Sequence, residues 1–401
     1  MNPLKYIHNK GLKQTLQVFY KYKIDLIIYK IYHFFFKHKP LKDIIILESH
    51  NDFDCNGGAL YDFFINNGVN NSYKIVWLLK HDAPECFPYN VEAFNLFRPS
   101  IKKNVLIHSA KYLFADNNVV TTLRSGQISV YCTHGGCTIK NVKGFLTVPN
   151  QVTYILSPSK KYDPFECENY SIEYPNNKML HLGFPANDAL FENHCNELKK
   201  VTNKNFNKVV LWMPTFRKLD KSDRNDSLNN LPLGVPIFSD NYEVERFNDF
   251  LLQMDMLLII KIHPMQDKSS TQIVRGLSNI AVLDGDSVKK LGINNYKLMS
   301  CCDALLSDYS SSAYSFLLLN RPIGFVLSDL ESYLPGFSVE NPEFFMPGKK
   351  IYNLDDFKKF LFDLENGCDL YHVAREKLCK WLYEYKDGNS CARIARYFNL
   401  V

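Results

Sequence analysis

Short apolar runs of strand length, each followed by a stretch of helical length, recur through both halves of this chain and constrain its fold more than any other feature. In the first half the runs are Asp43 to Glu48, Tyr73 to Leu79, Lys111 to Ala115 and Ser129 to Thr133, with intervening stretches such as Gly57 to Asn66. In the second half they are Val209 to Met213, Leu257 to Ile262, Ile280 to Leu283, Ala304 to Ser307 and Ile323 to Val326. Runs that stay apolar, without alternating with polar residues, suit strands covered on both faces of a parallel sheet. Strands alternating with helices predict a doubly wound α/β fold. With 401 residues and 46% apolar content, the chain can bury two ordinary cores. We therefore expect two Rossmann-like domains facing a cleft, 43–200 and 201–401, with the last helix free to cross back to the first domain. Open parallel sheets bind ligands beyond the carboxyl ends of their strands, which places a nucleotide in that cleft.

The first 42 residues read differently. They carry nine lysines against the single acid Asp25, so the rest of the chain is slightly acidic although the whole is +5. Leu16, Phe19, Tyr20, Ile24, Ile27, Ile28, Ile31, Tyr32 and Phe34 to Phe36 recur there at roughly helical spacing. Lysines interrupt every apolar run, and none approaches the ~20 uncharged residues of a membrane-crossing helix. A basic amphipathic helical arm on an anionic membrane surface is the expectation for residues 1–40, alongside ordinary packing of its apolar face on the first domain. The eleven cysteines are scattered and form no C-x-x-C pair, which favours reduced thiols over a zinc or redox framework.

The chemistry collects where strands end. Ser307-Asp308-Tyr309-Ser310-Ser311-Ser312 closes a buried run and opens a helix with three hydroxyls, a layout suited to phosphate or pyrophosphate. His134, followed by Gly135 and Gly136, and His263, followed by Pro264, also sit at strand ends. Lys140, Thr215, Arg217 and Lys261 add cationic and hydroxyl groups beside them, with Arg217 expected to fork onto phosphate oxygens. The polar stretch Asp220 to Asn230 is expected to be an exposed loop near this face. No P-loop, G-x-G-x-x-G or H-E-x-x-H motif is present, and nothing points to nucleic acid.

These elements together resemble the CDP-glycerol (poly)glycerophosphate glycerophosphotransferases of teichoic acid and capsule synthesis. The resemblance is carried by His134-Gly135-Gly136-Cys137-Thr138-Ile139-Lys140, Ser157-Pro158-Ser159, Gly183-Phe184-Pro185-Ala186-Asn187-Asp188, Met213-Pro214-Thr215-Phe216-Arg217, Lys261-Ile262-His263-Pro264 and Ser307-Asp308-Tyr309-Ser310-Ser311. Arg321-Pro322-Ile323 and Asp329-Leu330-Glu331-Ser332-Tyr333 follow in the same order. Ala186 stands where the family has arginine, Gly136-Cys137 where it has Thr-Pro, and Gly336-Phe337 lacks the family's arginine.

The resemblance implies a GT-B-like fold and transfer of a polyol-phosphate from CDP-glycerol or CDP-ribitol to a hydroxyl of a lipid- or glycan-linked surface polymer, with release of CMP. It places the protein peripherally on the cytoplasmic face of the bacterial plasma membrane. In this reading His134 and His263 are catalytic. Ser310, Ser311, Ser312, Arg217, Thr215, Lys261 and Asp308 handle the donor's phosphates, with Gly135, Gly136, Lys140, Asn187 and Asp188 as further cleft candidates. No metal ligand set is evident, and a divalent cation beside the pyrophosphate is left open. A GT-B glycosyltransferase using a CMP- or nucleoside-diphosphate-sugar, and a non-catalytic polymer-binding subunit at the membrane, are the alternatives. Which polyol, which acceptor, and one addition or many are not readable from the residues.

Overall fold

The computed structural model describes residues 3–118, 124–134, 136–143, 147–217, 226–227, 231–264, 266 and 271–401, with the backbone alone for residues 3–11, Tyr22 and Cys195. Gly135 and most of the stretch expected as a loop at Asp220 to Asn230 lie outside the described residues. Within that stretch, Asp226 and Ser227 are described and buried, and Ser227 bridges to Tyr333.

The first sheet contains β1 (Lys42–Glu48), β2 (Lys74–Leu79), β3 (Val91–Asn95), β4 (Ala110–Ala115), β5 (Ile128–Tyr131), β6 (Tyr154–Leu156) and β7 (Met179–Leu180). Its order is β3-β2-β1-β4-β5-β6-β7, with every pairing parallel. The second contains β8 (Lys208–Trp212), β9 (Met256–Lys261), β10 (Ile280–Leu283), β11 (Ala304–Ser307), β12 (Ile323–Val326) and β13 (Lys349–Ile351). Its order is β10-β9-β8-β11-β12-β13, again all parallel. Each sheet reverses its winding beside its first strand, at β1/β4 and at β8/β11, and such switch points open a crevice for ligands at the carboxyl ends of the strands. The strand cores are closed to water: Ile45, Ile46 and Leu47 of β1 and Leu258, Ile259 and Ile260 of β9 have no exposed surface.

The arm forms two helices, α1 (Pro3–Tyr22) and α2 (Ile24–Phe36). α2 docks on the helix Ile101–Ser109 through the arm's one acid. Asp25 pairs with the buried Lys103 and accepts from Asn104 Nδ2 at 2.6 Å and Ser100 N at 3.0 Å. Tyr29 is buried beside His108, with ring centroids 5.5 Å apart. The opposite side of α2 stays open, with Ile27, Ile31, Phe34 and Phe35 between 45% and 74% exposed. Among the described residues no helix is long and apolar enough to cross a membrane.

The chain's end returns to the first domain. Asp188 caps the helix Ser390–Tyr397, accepting from Ser390 N at 2.9 Å and Cys391 N at 2.8 Å, and the hydroxyl of Tyr112 on β4 donates to Phe398 O at 2.8 Å. Gly183, at φ +83°, leaves room for this helix, since a Cβ there would lie 2.4 Å from Ser390 Oγ.

Candidate active site

The site sits where the two sheets' strand ends face each other, and the backbone is forced there. β5 ends at Tyr131, and Thr133 takes φ +59°, a left-handed conformation that β-branched residues avoid. Asn56 holds it in place: its Nδ2 donates to Cys132 O (2.9 Å) and Thr133 O (3.0 Å), while its Oδ1 accepts from Ala186 N (3.0 Å). Asn56 belongs to α3 (Cys55–Asn66), whose Gly57 allows the helix to pack on β1; a Cβ there would meet Glu48 O at 2.8 Å. The turn that presents His134 is thus pinned from two other segments.

His134 stacks on His50, with ring centroids 4.0 Å apart. His50 lies two residues beyond β1 and is held through its carbonyl, which accepts from Lys80 Nζ at 2.7 Å; Lys80 pairs with the fully buried Glu48 at 2.8 Å. Solvent reaches His134 from the cleft, yet the surrounding protein, then His50 and Lys80, push its pKa down to about 3. His263, after β9, is also driven to about 3, by burial first and then by Lys140, Lys261, His50 and His134. Lys140, His50 and His134 belong to the first domain, so His263 faces that domain across the cleft. Both rings are neutral at physiological pH and can accept a proton.

Lys261 is buried, and burial lowers it to about 8 against the opposing pull of Asp54 of the first domain. Lys140 crosses the other way. Its segment pairs with the second domain through the bridge Lys140 to Phe337, Asn141 N to Gly336 O (3.1 Å) and Ser338 N to Ile139 O (2.9 Å).

The hydroxyls after β11 are arranged otherwise than a simple cap. Ser311 occupies the cap position without a side-chain capping bond, and Ser312 Oγ lies 3.1 Å from Ser310 Oγ and 3.3 Å from Ser307 Oγ. The helix they open, Ser312–Phe316, is a single turn and a half, continued by a tighter turn at Leu317–Leu319. Its macrodipole is correspondingly small, so the hydroxyls and first N–H groups carry any anion affinity. Gly136, at φ +65°, packs on Phe184, and a Cβ there would lie 3.6 Å from that ring and 3.9 Å from Ser315 Oγ, so the His134 turn runs beside the helix that the serines open.

The geometry gives several of the expected site residues protein partners. Arg217 is not an open fork. It is buried, and its Nε and Nη2 donate to Asp329 at 2.5 and 3.1 Å while Nη1 donates to Asp308 Oδ2 at 2.8 Å and to Thr215 O and Oγ1 at 2.9 and 2.6 Å. Thr215 and Asp308 Oδ2 share this network, Thr215 Oγ1 donating to Asp308 Oδ2 at 2.8 Å, while the buried Asp308 Oδ1 has no hydrogen-bond partner. Despite the burial that would raise it, Arg217 and Lys140 hold Asp308 below the usual carboxylate range. These residues form a charged network beside the serines. Asp188 is a helix cap, and Asn187 is buried beside it.

The residue reading also passed over groups that the fold gathers. His50 ends β1 as His134 ends β5, and the same strand-end logic finds it. Cys55, Asp116 and His134 bring ligand atoms within 4.8 Å of one another, a cluster that no local spacing reveals.

Comparison with known proteins shows the family. A profile of the family CDP-Glycerol:Poly(glycerophosphate) glycerophosphotransferase matches residues 30–399. The chain belongs to this family. It is an enzyme of the glycerophosphotransferase kind, and the GT-B-like expectation for its fold holds. It is 23% identical to the teichoic acid glycerol-phosphate primase of Bacillus subtilis strain 168, over 90% of this chain and 93% of that protein. It is 24% identical to the teichoic acid ribitol-phosphate polymerase TarK of Staphylococcus aureus, over 98% of this chain and 74% of that one. The solved structure of the wall teichoic acid polymerase TagF superposes with a TM-score of 0.71 at 17% identity, covering 99% of this chain and 95% of that one, a likeness of fold.

Proposed function

We propose that this glycerophosphotransferase takes CDP-glycerol or CDP-ribitol as donor and passes its polyol-phosphate to a hydroxyl of a teichoic-acid-like or capsule polymer. The donor's diphosphate lies against Ser310 to Ser312, with Lys261 and His263 beside it. The acceptor hydroxyl gives its proton to a ring nitrogen of His134 as its oxygen attacks the phosphorus that bears the polyol. The bond from that phosphorus to the bridging oxygen breaks, and CMP leaves with the electron pair. Little covalent work falls to the protein in phosphoryl transfer, so positioning and charge neutralisation carry the rate. Lys261 supplies a cation, and neutral His263 and the serine hydroxyls donate hydrogen bonds to the phosphoryl oxygens.

The observation that carries this reading is that the segment after His134 pairs with the second domain, through the bridge Lys140 to Phe337 and Ser338 N to Ile139 O at 2.9 Å, which sets the His134 turn beside the helix that the serines open. The exposed Ile27, Ile31, Phe34 and Phe35, flanked by exposed lysines, support a peripheral seat on the cytoplasmic face of an anionic membrane, where a lipid-linked acceptor grows. The test is CMP release from CDP-glycerol and CDP-ribitol with a polyol-phosphate-primed acceptor. His134→Ala should lower turnover by ~100- to 10,000-fold, the range for loss of a general base. Near-normal turnover of that variant, or CMP or UDP release from nucleotide-sugars alone, would overturn the proposal.

A further inference from the structure

We propose that Cys55, Asp116 and His134 form a binding site for a borderline-soft divalent ion of the zinc kind, and that its occupancy switches off the base. The three side chains come from the start of α3, the end of β4 and the turn after β5. They converge because β4 lies between β1 and β5 in the sheet. Their ligand atoms lie within 4.8 Å of one another. Zinc bonds of about 2.0–2.3 Å hold tetrahedral ligands roughly 3.5 Å apart, so side-chain shifts of about an ångström would close the set.

A second feature points to a ligand here. Asp116 has no exposed surface; its Oδ2 accepts from Gly57 N at 2.9 Å, while its Oδ1 has no hydrogen-bond partner. A buried carboxylate oxygen left without a donor is costly, and a cation is a common remedy. Gly57 N also fixes the carboxylate's orientation, as outer-shell partners do in metal sites. One sulfur, one nitrogen and one oxygen make a donor set that favours zinc over magnesium, which prefers all-oxygen surroundings and keeps its waters. Three protein ligands leave a fourth position on the cleft side, where solvent reaches His134.

The consequence is regulatory. A ring nitrogen bonded to the ion has no lone pair for the acceptor's proton, so metal binding and general-base action at that nitrogen exclude each other. The inhibition rests on the base assigned to His134 above; the binding does not.

The experiment measures zinc by competition with a chromophoric chelator, using full-length protein stripped with EDTA, and follows CMP release in parallel. A Cys86→Ser/Cys368→Ser background removes the exposed thiols among the described residues as adventitious ligands. We expect one zinc per chain in that background. Cys55→Ala should bind it ~10- to 100-fold more weakly, the scale on which such partners act. Zinc should inhibit turnover reversibly, with EDTA restoring it, and Cys55→Ala should need a correspondingly higher zinc concentration for the same inhibition. If Cys55→Ala fails to fold by circular dichroism, Cys55→Ser gives the same comparison. Equal zinc affinity with and without Cys55, or no zinc bound at about 10 µM, overturns the site. Cys55-dependent binding in a protein that releases no CMP from any CDP-polyol would uphold the site and count against the function proposed above.

Discussion

Replacing Arg217 by lysine separates two roles that the sequence alone left merged. The guanidinium makes five hydrogen bonds to Asp308, Asp329 and Thr215, from three different nitrogens. Asp308 and Asp329 are 1% and 2% exposed, so neither can turn to water for a substitute partner. A lysine keeps the charge but offers one nitrogen, which can serve one carboxylate and strands the other. Breaking a buried charged network in this way costs about 3–5 kcal/mol, of a total stability of about 5–15. Arg217→Lys should therefore lower the urea midpoint of unfolding strongly, with the slope unchanged, as followed by tryptophan fluorescence. At a temperature where the variant stays folded, the KM for the CDP-polyol should move only a few-fold. A stable variant, within ~0.5 kcal/mol of the parent, whose donor KM rises ~100-fold would show that the arginine meets phosphate after all.

Two further outcomes follow from the same geometry. His134 and His263 sit near pKa 3 and Lys261 near 8, so log(kcat/KM) for the donor should stay flat from about pH 5.5 to 7.5, with no inflection at the usual histidine value. It should then fall ~10-fold per pH unit above 8 as the cation of Lys261 is lost, and Lys261→Met should remove that alkaline limb; an acid limb near pH 6.5 would contradict the burial argument. Deleting residues 1–36 should release the protein from vesicles containing anionic lipid while CMP release in solution persists, and full retention on the vesicles would refute the arm's role.

Much of the fold was legible because parallel strands buried on both faces write themselves as unbroken apolar runs. β1, β2, β4, β5 and β8 to β12 begin or end within about two residues of such runs. The strands that went unread lack that signature: β3 is only half-buried along its length, β7 has two residues, and β6 and β13 have three each. Strand ends located His134, His263 and the serines. The partners of those residues were not legible, since Arg217 meets Asp308 and Asp329 across 91 and 112 residues of chain, and Asp188 reaches Cys391 across 203. A carboxylate beside a serine-rich turn looks the same in sequence whether it faces a ligand or an arginine, and only the register of β8 against β11 decides.

The stitching between lobes sets a limit on how this enzyme can move. The turn bearing His134 continues into the segment that bridges Lys140 to Phe337 and bonds Ile139 O to Ser338 N. Tyr383 adds a second tie, its hydroxyl donating to Tyr314 O at 3.0 Å behind the serine segment while meeting Cys137 Sγ at 3.7 Å. The turn bearing His134 and the helix that the serines open are therefore fastened to each other by direct bonds. A hinge that swung the domains apart would have to break these bonds and expose Cys137 and Tyr314, which are buried.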